Sequence, residues 1–348
     1  RESGSLLNYK MSKKGILLVN LGTPDSPSVA DVRKYLDEFL MDPRVIDIGT
    51  LGRTLLVKGI IVPFRGPKSA KAYQALWTPQ GSPLMFYGIR VRDMLRARMA
   101  DGFQVELAMR YQNPSIESAL AAFRKNEVYD IKVVPLFPQY ASATTGSVNQ
   151  KVMELVSQWQ IVPKINFVNS YYDHPLLIEA FASQGRKYGP ANFDHVLFSF
   201  HGLPVRQLLK AYPGNRHCQQ SPDCCSTISE QNKYCYSAQC HQTAKQIAAK
   251  LELSPGQYSI CFQSRLGRDP WIQPYTSDVI KRLAEEGKKN ILVFCPAFVA
   301  DCLETIIEIG EEYQEEFHSY GGEKVQLVAG LNDEPEWLDA LEDIARYS

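Results

Sequence analysis

GILLVNLGTP at Gly15–Pro24 and HVLFSFHGLP at His195–Pro204 decide the fold. Each is an unbroken apolar run of strand length that stops at a Gly-x-Pro turn, with no polar alternation to give it a wet face. A strand buried on both faces belongs to a parallel sheet covered by helices. Six further runs fit the same reading: Val105–Met109, Ile131–Phe137 and Lys164–Asn169 in the first half, Tyr258–Gln263, Asn290–Pro296 and Lys324–Ala329 in the second. Four strands per half, separated by helix-length stretches, predict two similar α/β domains with parallel four-stranded sheets. Their expected limits are 14–165 and 166–330, the second with a cysteine-rich insertion over 212–242. A C-terminal helix is expected over 331–348, and residues 1–13, where RESGSLLNYK runs ahead of Met11, read as a leader.

A weak internal repeat supports two related halves. Gly22-Thr23-Pro24 answers Gly202-Leu203-Pro204, Arg110 answers Arg265 at a strand end, and Pro135-Leu136-Phe137 answers Pro296-Ala297-Phe298, in the same order. The competing explanation is that strand ends in α/β proteins favour Gly, Pro and Arg anyway. Ligands of open α/β sheets bind beyond the carboxyl ends of the strands. Two such sheets facing one another would gather His201, Arg110, Tyr140 and the loop after Pro296 around one cleft.

Lys+Arg and Asp+Glu are equal at 38 each, so no net field draws the chain to nucleic acid or to an anionic membrane. No apolar run reaches the roughly 18 residues of a spanning helix, and no secretory pattern is present. A cytoplasmic location is therefore expected, with thiols kept reduced. That bears on Cys218, Cys224, Cys225, Cys235 and Cys240, which crowd into 23 residues as C-x5-C-C-x9-C-x4-C. Reduced thiolates at such spacing favour a soft metal or an iron–sulfur cluster over disulfides, and four of them suit zinc as well. Cys261, Cys295 and Cys302 read as small buried hydrophobes.

His201 closes a strand before a Gly-x-Pro turn, a position for a general base or a ligand of a divalent metal. Its companion is the helix expected after Cys295-Pro296, with Asp301 near its start and Glu304, Glu308 and Glu312 four residues apart in one row. Like charges at that spacing oppose a helix unless they bind something. A solvated acidic face is the bland reading. Ile306, Ile307 and Ile309 leave little of the helix for open solvent, so part of the row is expected to face a wet cavity and pass a cation or protons inward. The hydroxyl-rich loop Pro138–Ser147 reads partly as a helix cap, with Tyr140 turned to the cleft. Leu51–Phe64 (LGRTLLVKGIIVPF) reads as a lip over an apolar ligand, a membrane-touching segment or a core helix.

On these residues the chain resembles the ferrochelatase family. The resemblance runs from about Gly15 to Leu331 and rests on LLVNLGTP, GSPL at Gly81–Leu84, MRYQNP at Met109–Pro114 and PLFPQYASATTGS at Pro135–Ser147. It continues through FSFHGLP, FQSRLGRDPWIQPYT at Phe262–Thr276 and CPAFVADCLETIIEI at Cys295–Ile309. The resemblance implies a lyase of haem and porphyrin biosynthesis that inserts ferrous iron into a porphyrin and releases two protons. It implies the chelatase fold, two Rossmann-like, flavodoxin-like domains with the porphyrin between them.

By that resemblance His201 and Glu304 are the catalytic pair on opposite faces of the macrocycle, His201 as proton acceptor or metal ligand. Asp301, Glu308 and Glu312 form a metal or proton path, and Leu21, Pro83, Arg110, Tyr140 and Trp271 bind porphyrin. A planar macrocycle releases its inner protons only when distorted or met by bases, and weak oxygen and nitrogen ligands let Fe2+ move on where thiolates would trap it. The implied substrate is protoporphyrin IX, with coproporphyrin III, or a non-catalytic tetrapyrrole-binding or iron–sulfur sensing role, as alternatives. A [2Fe–2S] cluster is implied as cofactor, with zinc as its rival. The animal arrangement is absent, since its loop position is Ser142 here. The bacterial arrangement within an insertion fits Cys218, Cys225, Cys235 and Cys240, with Cys224 as the spare. A monomer is expected, with transient peripheral contact at the inner face of a membrane and no nucleic-acid partner.

Overall fold

The computed structural model describes residues 13–100, 102–212, 214, 218, 221, 223–267 and 269–348. Residues 1–12 of the expected leader lie outside that set. The eight anticipated runs form eight strands: β1 (Lys14–Gly22), β2 (Phe103–Tyr111), β3 (Asp130–Pro135), β4 (Lys164–Phe167), β5 (His195–His201), β6 (Tyr258–Gln263), β7 (Asn290–Phe294) and β8 (Lys324–Leu327). They build two parallel sheets, in the orders β2-β1-β3-β4 and β6-β5-β7-β8. The two halves thus share one topology, as the repeat anticipated. Leu21-Gly22 and His201-Gly202 occupy matching ends of the two inner strands. Gly22 stands at φ +135°, and a Cβ there would fall 2.3 Å from the Tyr111 carbonyl oxygen, so only glycine lets β1 and β2 close up at this end.

One continuous apolar core joins the halves. Ile16, Leu18 and Met109 of the first sheet belong to the same buried cluster as Phe198 and Phe200 of the second, with Phe181 and Trp337 among them. Helices Pro175–Arg186 and Pro335–Tyr347 pack together, and the latter also lies on helix Pro83–Arg98 of the first half. Trp337 is 1 % exposed and stacks on Tyr171, and Arg98 reaches Asp339 at 2.5 Å across the same seam. Losing a side chain so buried costs about 3–5 kcal/mol. The two halves therefore share stability as well as topology.

Two segments depart from α-helical geometry. Leu55–Ile61 is π-helical, between helices Thr50–Thr54 and Val62–Leu76. Its extra residue per turn keeps Leu51, Leu55, Ile60 and Phe64, spaced four, five and four apart, along one side. All four are exposed, Leu51 and Phe64 at 77 % each, so the core-helix reading of this stretch does not hold. Glu304–Glu312 is also π-helical where an α-helix was expected. Among the described residues, no helix is long and apolar enough to cross a membrane.

Candidate active site

β5 ends at His201, in register with Gln263 of β6, whereas its pairing with β7 stops at Phe198. The end of β5 therefore projects past one neighbour. His201 Nδ1 lies 2.6 Å from the Gly202 carbonyl oxygen. A carbonyl only accepts, so Nδ1 carries the proton and Nε2 of the neutral ring keeps its lone pair. Trp271 and Phe298 flank the ring, each with its centroid 6.4 Å away. The Tyr236 hydroxyl donates to the His201 carbonyl at 2.9 Å.

Glu308 faces this end of the sheet. Its Oε2 accepts from Ser264 Oγ at 2.6 Å and Gln263 Nε2 at 3.1 Å. Burial pushes its carboxyl above the usual range; the two hydrogen bonds and nearby His201 oppose that rise, and the charge of Glu304 adds to it. Glu308 thus lies within electrostatic reach of both His201 and Glu304. Glu304 is half-buried at the seam of the halves: its charge is felt by Tyr35 and Tyr73, whose hydroxyls are pushed far up, chiefly by burial. Glu312 is exposed. The acidic row therefore runs from the seam to the surface.

Asp301 does not belong to that row. Its Oδ1 accepts from the Gly330 main chain at 3.0 Å and from Thr305 Oγ1, and its Oδ2 accepts from Asn332 Nδ2 at 2.8 Å. It ties the loop after β7 to the loop after β8. Arg110 is committed likewise. Its guanidinium bonds Asp42 at 2.8 Å and Ser147 Oγ at 2.6 Å, and lies over the Tyr111 ring. Burial raises the Asp42 carboxyl, but hydrogen bonds from Ser147, the Arg44 main chain and Tyr111, with the Arg110 charge, bring it below its ordinary value.

Leu21 packs half-buried in an apolar cluster that spans the seam, with Tyr35, Tyr73 and Tyr111 on one side and Ile306 and Ile307 on the other. Pro83 is buried at the first turn of helix Pro83–Arg98, behind Ser82, which accepts from Thr23 Oγ1 at 2.9 Å. Tyr140 lines a pocket of about 460 Å³ together with Arg44, Ser142, Leu203, Lys210, Tyr234 and Tyr236. The residues that sequence reasoning passed over are Gln263, Ser264, Phe298 and Tyr236. Gln263 ends β6 opposite His201 and Ser264 follows it, so the parallel register points to this corner.

The cysteines gather in part. Cys225 contacts Cys235, Cys235 contacts Cys218, and Cys224 and Cys225 stand 3.8 Å apart at sulfur. Cys240 is fully buried against Tyr236, within electrostatic reach of Cys225 and Cys235. The contact with Cys218 is the leading cause that pushes the Cys235 thiol up to about 11. Among the described residues, no three His, Cys, Asp or Glu side chains stand ready to hold a metal ion. The donor chemistry, soft thiols converging with Cys218, Cys235 and Cys240 buried and Cys224 and Cys225 half-buried, fits a thiolate-bound group, and the thiols must close further to hold one.

Residues 13–348 match the ferrochelatase family. Curated ferrochelatases of Legionella pneumophila (strain Lens), Pseudomonas fluorescens (strain SBW25) and Azotobacter vinelandii are each 44% identical to it, over 333, 332 and 337 residues. The alignments cover 95%, 95% and 97% of this chain and 98%, 97% and 99% of those proteins. In fold it is similar to SirB from Bacillus subtilis with Fe3+, with a TM-score of 0.52 across 96% of each chain at 13% identity. With that match along nearly its whole described length, the chain belongs to the ferrochelatase family.

Proposed function

We propose that this chain inserts Fe2+ into protoporphyrin IX in haem biosynthesis, releasing two protons. The observation that carries the reading is His201: Nδ1 is pinned to Gly202, Nε2 is open, and a carboxylate row leads from its vicinity to solvent. His201 Nε2 takes one pyrrole proton, and Glu304, meeting the macrocycle from the other face, takes the second. Hydrated Fe2+ passes Glu312 and Glu308. Burial makes the ionised form of Glu308 costly, and an arriving cation offsets that cost. Two N–H bonds break, two protons leave, and the dication balances the porphyrin dianion.

Leu21 and Trp271 pack on the macrocycle, and Pro83, Arg110 and Tyr140 shape its surroundings. Asp301 supports the path by fixing the loop from which it starts. The exposed apolar side of Leu51–Phe64 supports both a lip over an apolar ligand and transient contact with a membrane surface. The domain limits remain 14–165 and 166–330, and the chain acts as a cytoplasmic monomer. Cys218, Cys225, Cys235 and Cys240 hold a [2Fe–2S] cluster, with Cys224 as the spare and zinc as the rival occupant. When bound, the group supplies a cross-link and a redox-sensitive centre in the insertion.

The test is anaerobic Fe2+ or Zn2+ insertion into protoporphyrin IX, followed by visible absorbance, for wild type and His201→Ala. Product with the first and none with the second is expected. Turnover of coproporphyrin III alone would change the substrate, and failure with both porphyrins would leave a tetrapyrrole-binding or sensing protein.

A further inference from the structure

The carbonyl of His201 occupies an unusual place at the end of β5. The Gly202 N–H donates to the Gln263 carbonyl on the β6 side at 2.8 Å. A trans peptide is planar, so the His201 carbonyl in the same peptide points to the opposite edge. On that edge β7 has already left the ladder at Phe198. Among the described residues no strand meets this carbonyl, and a half-buried carbonyl without a partner is costly. Tyr236 supplies the partner at 2.9 Å, from a side chain that is 7 % exposed.

Tyr236 is itself firmly held. It opens helix Tyr236–Lys250. One turn along, Gln239 accepts from the Tyr140 main chain at 2.7 Å and donates to the Lys233 carbonyl at 2.7 Å. The same helix face thus fixes the loop after β3 and the end of β5. The next peptide after the one Tyr236 holds carries the Gly202 carbonyl, which receives the Nδ1 proton of His201. Release of the first peptide would let the second turn, and the imidazole would lose its fixed tautomer and aim.

We infer that Tyr236 is a positioning residue for His201: its hydroxyl fixes the main chain at the end of β5 and so keeps Nε2 directed at the reacting nitrogen. This rests on the reading of His201 as the proton acceptor. The role needs only the phenolic O–H, so Tyr236→Phe, which keeps the ring and loses only the donor, is the direct probe, and Tyr236→Met removes ring and donor together for comparison.

The experiment pairs steady-state kinetics with nitrogen NMR of histidine-labelled protein, the His201 signal being assigned by its absence in His201→Ala. Both Tyr236 variants are expected to lower kcat about tenfold or more, since small misplacements of a reacting group cost that much. The porphyrin KM should stay within about twofold, as for an interaction that acts on the chemical step. The His201 ring should shift from a pure Nδ1–H form to a mixture. A wild-type kcat with an unchanged His201 signal overturns the inference. So does a fall in kcat with melting temperature while the His201 signal stays as in wild type, which assigns Tyr236 to stability alone. If His201→Ala itself retains wild-type activity, the reading of the site fails, and the NMR arm still decides whether Tyr236 holds the ring.

Discussion

Ser264 donates its hydroxyl to Glu308 at 2.6 Å from a backbone held at φ +67°, the left-handed region that few side chains adopt. The donor reaches the carboxylate because the chain turns there, immediately beyond β6. A hydrogen bond to a carboxylate favours its ionised form. In Ser264→Ala the Glu308 carboxyl should rise further, and the acid limb of kcat/KM for metal insertion should move to higher pH. An unshifted limb would show that Glu308 does not have to ionise in turnover.

Glu308 also links function to stability. A carboxyl whose folded value is raised by burial gives the protein its full stability below the unfolded value, and that stability is lost as pH rises through the folded value. Glu308→Gln removes the charge. It should melt like wild type near pH 4, the ordinary carboxyl range, melt higher than wild type at neutral pH, and insert metal more slowly. Melting curves at the two pH values, read beside the insertion rate, check all three outcomes.

The Asp42–Arg110 pair predicts the opposite pH dependence. Asp42 is held low, so its contribution is present above the ordinary aspartate value and fades as pH falls through the folded one. Its side chain is only 4% exposed, and Asp42→Ala leaves Arg110 without its counter-charge. A cost of about 3–5 kcal/mol in unfolding free energy is expected at neutral pH. Urea titrations at neutral and acid pH should show the deficit shrinking as pH falls.

The exposed side of the lip predicts membrane behaviour. Replacing Leu51 and Phe64, both 77 % exposed, by Ser should reduce cosedimentation with phospholipid vesicles severalfold and leave the melting temperature nearly unchanged. Equal cosedimentation would confine the lip to handling the porphyrin.

For the cysteine segment, protein purified without oxygen should be brown. Cys225→Ser should lose the colour and Cys224→Ser should keep it. Removing bound iron with a chelator should lower the melting temperature, because metal-binding energy is folding energy in such segments. A colourless protein containing zinc would assign the thiols to the rival metal.

The strands were legible because each is an apolar run closed by a turn, and burial on both faces leaves no other pattern. His201 and the glutamates were legible as residue types in order. Their exact surroundings were not, because those come from positions far along the chain. Asp301 reads as part of a metal or proton path beside the row, and nothing local to it shows that Asn332, 31 residues on, takes its Oδ2. Arg110 looks free until Asp42, 68 residues back, is found beside it. The lip was ambiguous for a different reason: its apolar residues follow a four-five-four spacing that α-helical periodicity does not match and a π-helical turn does.

The row of carboxylates that starts at the seam and ends at exposed Glu312 has a kinetic consequence. If, as proposed, the metal travels along this row and the porphyrin arrives over the exposed apolar side of Leu51–Phe64, the two reach His201 by different routes. The two substrates then do not compete for one passage. On that reading iron and porphyrin should bind in either order, and haem retained beneath Leu51–Phe64 should inhibit competitively against porphyrin but not against iron, which initial-rate kinetics with added haem would check.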